Sequence, residues 1–144
     1  DSPSNLETSL LGQWAYSKNK TVLHNCPSIA PKNRAAWASW IYTRDDDNIM
    51  SASYYMNRLQ GLNSPIDYFV TLNSNKTIAS SKIEYQTNYE HPIMTPASVD
   101  TQAKLEQLNG ENNTYFCGSY FGNGFHEDGI RSAVSVGNLL GCNL

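Results

Sequence analysis

Cys117-Gly118, Gly122-x-Gly124 and His126-Glu127-Asp128-Gly129 crowd into a short stretch near the C-terminus, YFCGSYFGNGFHEDGIRSAVSVGNLLG over residues 115–141. The pattern predicts a buried strand over 115–118 that ends at a glycine, a Gly-punctuated turn, a His-Glu-Asp-Gly loop and a helix over 130–140. Glycines between a strand and a helix let the backbone approach a ligand closely. A helix start adds free N–H groups and partial positive charge. Together these suit a phosphate or an electron-rich carbonyl. The plainer alternative is a capped helix, with Glu127 or Asp128 satisfying its first N–H groups. That acidic pair favours a neutral, electron-rich ligand edge over a bare phosphate.

Other reactive side chains form no recognisable set. His24, His91 and His126 with Cys26 and Cys117 match no zinc spacing, so no metal site is expected. Cys117, inside an apolar run, reads as a small buried hydrophobe rather than a nucleophile. Asp45-Asp46-Asp47 reads as a charged hairpin tip, since a metal loop needs more ligands at regular spacing. Trp37, Trp40, Tyr54, Tyr55 and Phe69 could line an apolar pocket, although core packing accounts for aromatic residues on strands equally well.

The elements that would position these groups follow from patterning. Apolar runs around Leu11, Trp14 and Tyr16 and around Val22-Leu23-His24, separated by Ser17-Lys18-Asn19-Lys20, predict a hairpin. Strands are expected over 35–43, with Trp37 and Ser39 or Ile41 on one face, over 49–56, over 68–72 and over 83–91. A single helical turn over 57–62 stops at Gly61. Thr95 and Pro96 open a helix over 97–108 that Gly110 closes. The fold class is therefore α+β: an antiparallel sheet with helices, then a C-terminal strand–loop–helix. The expected division is 1–112 and 113–144.

Composition bounds the function. The chain has 144 residues, 40% hydrophobic and 16% charged, enough for a real core. A net charge of −3 with scattered Lys and Arg argues against nucleic acid as a partner. No apolar run approaches the roughly 20 residues of a membrane span. Three widely spaced cysteines do not make a disulfide framework, which favours a reducing, cytoplasmic setting. In that setting the Asn-x-Thr triplets at Asn19, Asn75 and Asn112 read as coincidence.

The C-terminal stretch resembles, over nearly every position, the signature of amine-oxidase-like FAD-dependent oxidoreductases, closest to the bacterial subgroup described as predicted NAD/FAD-binding proteins. Tyr16-Ser17-x-Asn19-x-x-Val22-Leu23-His24, Trp37-Ala38-Ser39-Trp40, Tyr55-Met56-Asn57-Arg58-Leu59-Gln60 and Tyr89-Glu90-His91-Pro92 are similar to the family's upstream motifs and stand in the same order. The resemblance implies FAD as cofactor, with Gly118, Ser119 and Gly124 near the ribityl chain or pyrophosphate. It implies Gly129 and Ile130 as backbone donors to the flavin O2/N1 edge. Ser119 replaces the acidic residue many superfamily members carry there. His24, Trp40, Asn57, Arg58 and Gln60, polar or aromatic inside the motifs, become the expected substrate pocket, although Arg58 and Gln60 could equally be solvated helix residues.

The G-x-G-x-x-G unit that grips the ADP half of FAD is missing from these 144 residues, and Gly118-x-x-x-Gly122-x-Gly124 has a different spacing. The expectation is thus the C-terminal part of a flavoenzyme that moves hydride from an apolar or amine-type substrate to flavin. Alone it would bind FAD weakly or not at all: it is an excerpt of a longer chain with an N-terminal Rossmann portion, the partner of a separate chain that carries one, or a degenerate remnant. The alternative is a non-catalytic domain derived from such an enzyme, which binds a small ligand or self-associates as a homo-oligomer.

Overall fold

The chain opens in a helix, not in the first strand of a hairpin. Ser4 Oγ accepts from the Glu7 N–H at 3.1 Å and Glu7 Oε2 accepts from the Ser4 N–H at 2.6 Å, a reciprocal cap that starts α1 (Asn5–Leu11). The computed structural model describes residues 2–44, 48 and 50–142. The expected charged tip Asp45-Asp46-Asp47 and the first residue of the expected strand, Ile49, lie outside the described residues.

The predicted hairpin is one continuous strand, β1 (Tyr16–His24). Ser17-Lys18-Asn19-Lys20 holds no glycine or proline to turn the chain, and its residues alternate in exposure as an extended strand does. The strands β2 (Trp40–Arg44) and β3 (Met50–Tyr55) follow, then the single turn α2 (Met56–Leu59), β4 (Phe69–Leu72) and β5 (Ile83–Pro92). They build a five-stranded sheet in the order β2-β3-β4-β1-β5. The three pairings from β2 through β3 and β4 to β1 are antiparallel. One register row runs Ile41–Ser53–Thr71–Val22, and the next Tyr55–Phe69–His24. This is the α+β plan with an antiparallel sheet that patterning indicates. The strand expected from residue 35 begins later, because Asn33 Oδ1 accepts from the Ala35 N–H at 3.0 Å and winds Arg34–Ala36 into a 3-10 turn. Trp37 follows that turn and still shares a buried cluster with Ile41.

Thr95 caps α3 (Pro96–Gln102) as predicted, but the helix is short, and a 3-10 segment, Leu105–Leu108, completes the expected stretch. The predicted strand at 115–118 does not form. The Phe116 N–H donates to Asn109 Oδ1 at 2.6 Å and the Gly118 N–H to Ser132 Oγ at 2.9 Å, so side chains take the place of a neighbouring strand. Cys117 is exposed rather than buried. The last helix, α4 (His126–Leu139), starts four residues before the expected position, so the His-Glu-Asp-Gly segment is its first turn.

Two compact units result, and their boundaries differ from the expected 1–112 and 113–144. The first comprises Asp1–Ser17 and His91–Leu144, the second Lys18–Glu90. The first unit buries Leu10, Trp14, Leu105 and Leu108, with Phe116, Tyr120 and Phe121 against them. Leu6 and Leu10 stand one helical turn apart on α1 and so reach the same core. Trp14 meets Tyr120 edge-on at 5.5 Å, and its Nε1–H donates to Thr101 Oγ1 at 3.0 Å. The second unit buries Ala30, Trp37, Ile41 and Phe69 on one face of the sheet. Trp37, Tyr55 and His24 all surround Phe69, at ring distances of 5.4, 5.2 and 5.6 Å.

Candidate functional site

In the first unit, the glycine-rich loop and the start of α4 are tied by two side chains. Ser132 Oγ accepts from the Gly118 N–H at 2.9 Å, and the Gly129 and Gly118 carbonyl oxygens lie 2.8 and 3.2 Å from it, within reach of its one proton. Gly129 fits against this loop: a side-chain carbon there would lie 3.6 Å from the Ser119 nitrogen. Asp128 is the second tie. Its Oδ2 accepts from the N–H groups of Asn123 and Phe125, both at 3.0 Å, and its Oδ1 from Arg131 Nη2 at 2.9 Å. The Phe125 N–H, then that of Asn123 and the Arg131 charge, hold this carboxyl below its ordinary value against the opposing effect of burial. Asp128 thus caps the helix by reaching back from its first turn.

The loop consumes most of its own donors. Phe121 N–H bonds to the Gly118 carbonyl, and those of Gly122 and Gly124 both bond to the Ser119 carbonyl. The Gly129 N–H bonds to the Phe125 carbonyl at 3.2 Å, inside the helix. The donor role expected for Gly129 is therefore taken, and Ile130, 61% exposed, lies one residue further into α4. Four N–H groups, those of Ser119, Tyr120, His126 and Glu127, have no acceptor among the described residues. Gly118 has φ of 154° and a side chain there would strike the Tyr120 ring, while Gly124 has φ of 90°. The result is a glycine-lined surface with free donors at its two ends and a satisfied carboxylate between them. It suits an electron-rich neutral edge. A cavity of about 270 Å³ adjoins it, lined by Gln102, Glu106, Phe121, Asp128, Arg131 and Ser132 among others.

In the second unit, the residues expected to form a substrate pocket separate. His24 is fully buried in the sheet. Its Nδ1 accepts from the Cys26 N–H at 3.1 Å and its Nε2 lies 2.8 Å from Thr71 Oγ1. Trp40 precedes Ile41 on β2 and so points to the opposite face, where it is 55% exposed. Gln60 is exposed at the end of α2. Asn57 and Arg58 do come together, on a cavity of about 350 Å³ that also takes in Arg34, Trp37, Tyr55 and Asp67. Asn57 is buried and bridges the Ile66 carbonyl at 2.7 Å and the Tyr68 N–H at 2.8 Å, which shapes the wall. Arg58 Nη1 donates to the Trp37 carbonyl at 2.6 Å.

Arg34, Asp67 and Ser132 were not among the candidates read from the sequence. Arg34 grips Asp67 with two hydrogen bonds of 2.8 Å, and the Tyr55 hydroxyl donates to the same carboxylate at 2.7 Å. The Arg34 bonds, with that of Tyr55, hold the Asp67 carboxyl below its usual value. The two partners stand far apart in sequence with no shared period, so nothing marks them as a pair. Ser132 reads as one more helical serine until its glycine partners are placed.

Among the described residues no group of three His, Cys, Asp or Glu side chains is close enough to hold a metal ion, and no helix is long and apolar enough to cross a membrane. Cys26, Cys117 and Cys142 are free thiols. Compared with models of known protein families and with curated proteins, the chain finds no match in either set.

Proposed function

We propose that the chain is the C-terminal part of an amine-oxidase-like FAD-dependent oxidoreductase that acts in a reducing, cytoplasmic setting. The observation that carries this reading is the junction of Gly118-Ser119 with Gly129 through Ser132, set inside a motif that resembles the family's flavin-side signature. Bound FAD would accept a hydride from an apolar or amine-type substrate. The chain's own part is to hold and orient. The N–H groups of Ser119 and Tyr120 and those of His126 and Glu127 would meet electron-rich atoms of the ribityl chain and the ring edge. Two positive helix-end donors would favour negative charge developing there. Gly118 and Gly124 would keep side chains out of the ligand's path. Grip on the ADP half would come from a separate dinucleotide-binding portion.

The test is a titration of the purified chain with FAD, with riboflavin as the ring-only control. Saturable binding that Gly129→Leu abolishes, with helical circular dichroism retained, supports the reading. Absence of binding to the chain when it is supplied together with a dinucleotide-binding portion overturns it. A second reading, a small-ligand-binding or self-associating domain, is favoured by one observation: Trp40, Tyr42 and Met50 are exposed on β2 and β3. Association that is independent of flavin would select it.

A further inference from the structure

We propose that the cavity of the second unit binds a small organic carboxylate with a flat, apolar body, through Arg58. The cavity holds Asn57 and Arg58 of the substrate pocket that the resemblance implies, but the argument rests on its geometry alone and the test needs no flavin.

The argument begins with charge. Three charged side chains line the cavity: Arg34, Arg58 and Asp67. Arg34 and Asp67 satisfy each other with two parallel hydrogen bonds, and Tyr55 takes a further lone pair of the carboxylate. Asp67 is therefore matched in charge, and one guanidinium is left over. Arg58 makes no ion pair among the described residues. Its side chain is already held at one corner, by the bond from Nη1 to the Trp37 carbonyl. A planar fork fixed at one nitrogen keeps its other N–H groups for a planar acceptor, and less side-chain freedom remains to be lost on binding.

The walls supply the second half of the recognition. Trp37 and Tyr55 stand edge to face with ring centres 5.2 Å apart, and Arg34 covers the Trp37 ring at 4.6 Å. Each ring is therefore held in place by its neighbours. Leu62 and Ser64 complete the lining. At about 350 Å³ the cavity is at the small end of the ligand-site range. A guanidinium beside rigid aromatic rings selects an anion with a flat body over a neutral molecule of the same shape, and a carboxylate over a spherical anion.

Benzoate is the probe, with benzamide as its neutral isostere. On the whole chain, two-dimensional amide and indole NMR during a benzoate titration should show saturable shifts at the Trp37 indole and around Arg58. Benzamide should need at least tenfold higher concentration for the same shifts. Arg58→Gln should weaken benzoate at least tenfold, and Arg58→Lys less, with both melting curves recorded. If Arg58→Gln fails to fold, the benzoate–benzamide comparison on the native chain decides. Equal response to the two probes, shifts scattered away from this cavity, or undiminished binding in a folded Arg58→Gln chain would each overturn the proposal.

Discussion

His24 Nε2 lies 2.8 Å from Thr71 Oγ1, and both side chains are fully buried. The Cys26 N–H donates to Nδ1, so the ring proton sits on Nε2 and is given to Thr71. Thr71 in turn has Ser53 Oγ at 2.8 Å for its own proton. An imidazolium would carry a second proton at Nδ1, facing the Cys26 N–H, and burial lowers the His24 pKa to about 4. Above pH 6.5 the ring is neutral folded or unfolded, and its contribution is fully present. Between 6.5 and about 4 only the unfolded chain takes up the proton, so stability falls as pH falls. The loss should reach about 3 kcal/mol. Urea unfolding at pH 7 and pH 4.5 checks it, and His24→Gln should flatten the dependence in that window. The lowered carboxyls of Asp67 and Asp128 add their losses only below the ordinary carboxylate value of 3.8.

Thr101→Val should cost roughly 1–3 kcal/mol, because it leaves the buried Trp14 indole N–H without an acceptor at unchanged volume. Thr101→Ser, which keeps the hydroxyl, should cost less. Denaturant melts of the two variants give the comparison, and equal losses would mean that the bond is not what matters.

Gly122→Ala should destabilise the loop before α4 by about 1–3 kcal/mol. A side-chain carbon at Gly122 would overlap the Asp128 carboxylate, which has no freedom to retreat while it holds two backbone N–H groups and Arg131. Amide exchange over residues 122–128 should accelerate in this variant. Gly137→Ala, where the added carbon would meet only the Cys142 carbonyl at an ordinary 3.5 Å, is the control for a methyl group without overlap.

Ser132→Ala removes the hydroxyl that accepts from Gly118 and reaches the Gly129 carbonyl. The Gly118 N–H is then left unpaired, and roughly 1–2 kcal/mol should be lost. If the flavin reading is right, FAD affinity should fall further than in Gly141→Ala, since Ser132 sets the spacing of the two glycine segments. Calorimetry with FAD on both variants measures that difference.

Several elements in both units are legible because local chemistry dictates them. Thr95-Pro96 started a helix, Gly61 ended one, and β4 and β5 fell where β-rich runs stood. The differences have two causes: a side chain from another segment takes the place of a local rule, or a cap just outside the window decides the element. Residues 115–118 have strand composition, yet Asn109 and Ser132 capture their N–H groups. The spacing of Leu11, Trp14 and Tyr16 suggests a strand, while the Ser4–Glu7 cap outside that window decides for the helix α1. At the sites, Asn57 and Arg58 could be found inside a recognisable motif, whereas the Arg34–Asp67 pair had no local signal at all.

The first unit is made of two separated segments, and the second is the single stretch between them. In the first, the Ile93 N–H donates to the Ala15 carbonyl at 2.8 Å and Ser17 Oγ lies 3.4 Å from the His91 carbonyl. In the second, Lys18 and Glu90 approach to 3.9 Å. Each unit thus has its cut ends side by side, the arrangement of a host chain interrupted by a guest. A short loop from Ser17 to His91 would close the host at little entropic cost. The guest, excised at Lys18 and Glu90, would carry the remainder of β1 and β5 with it.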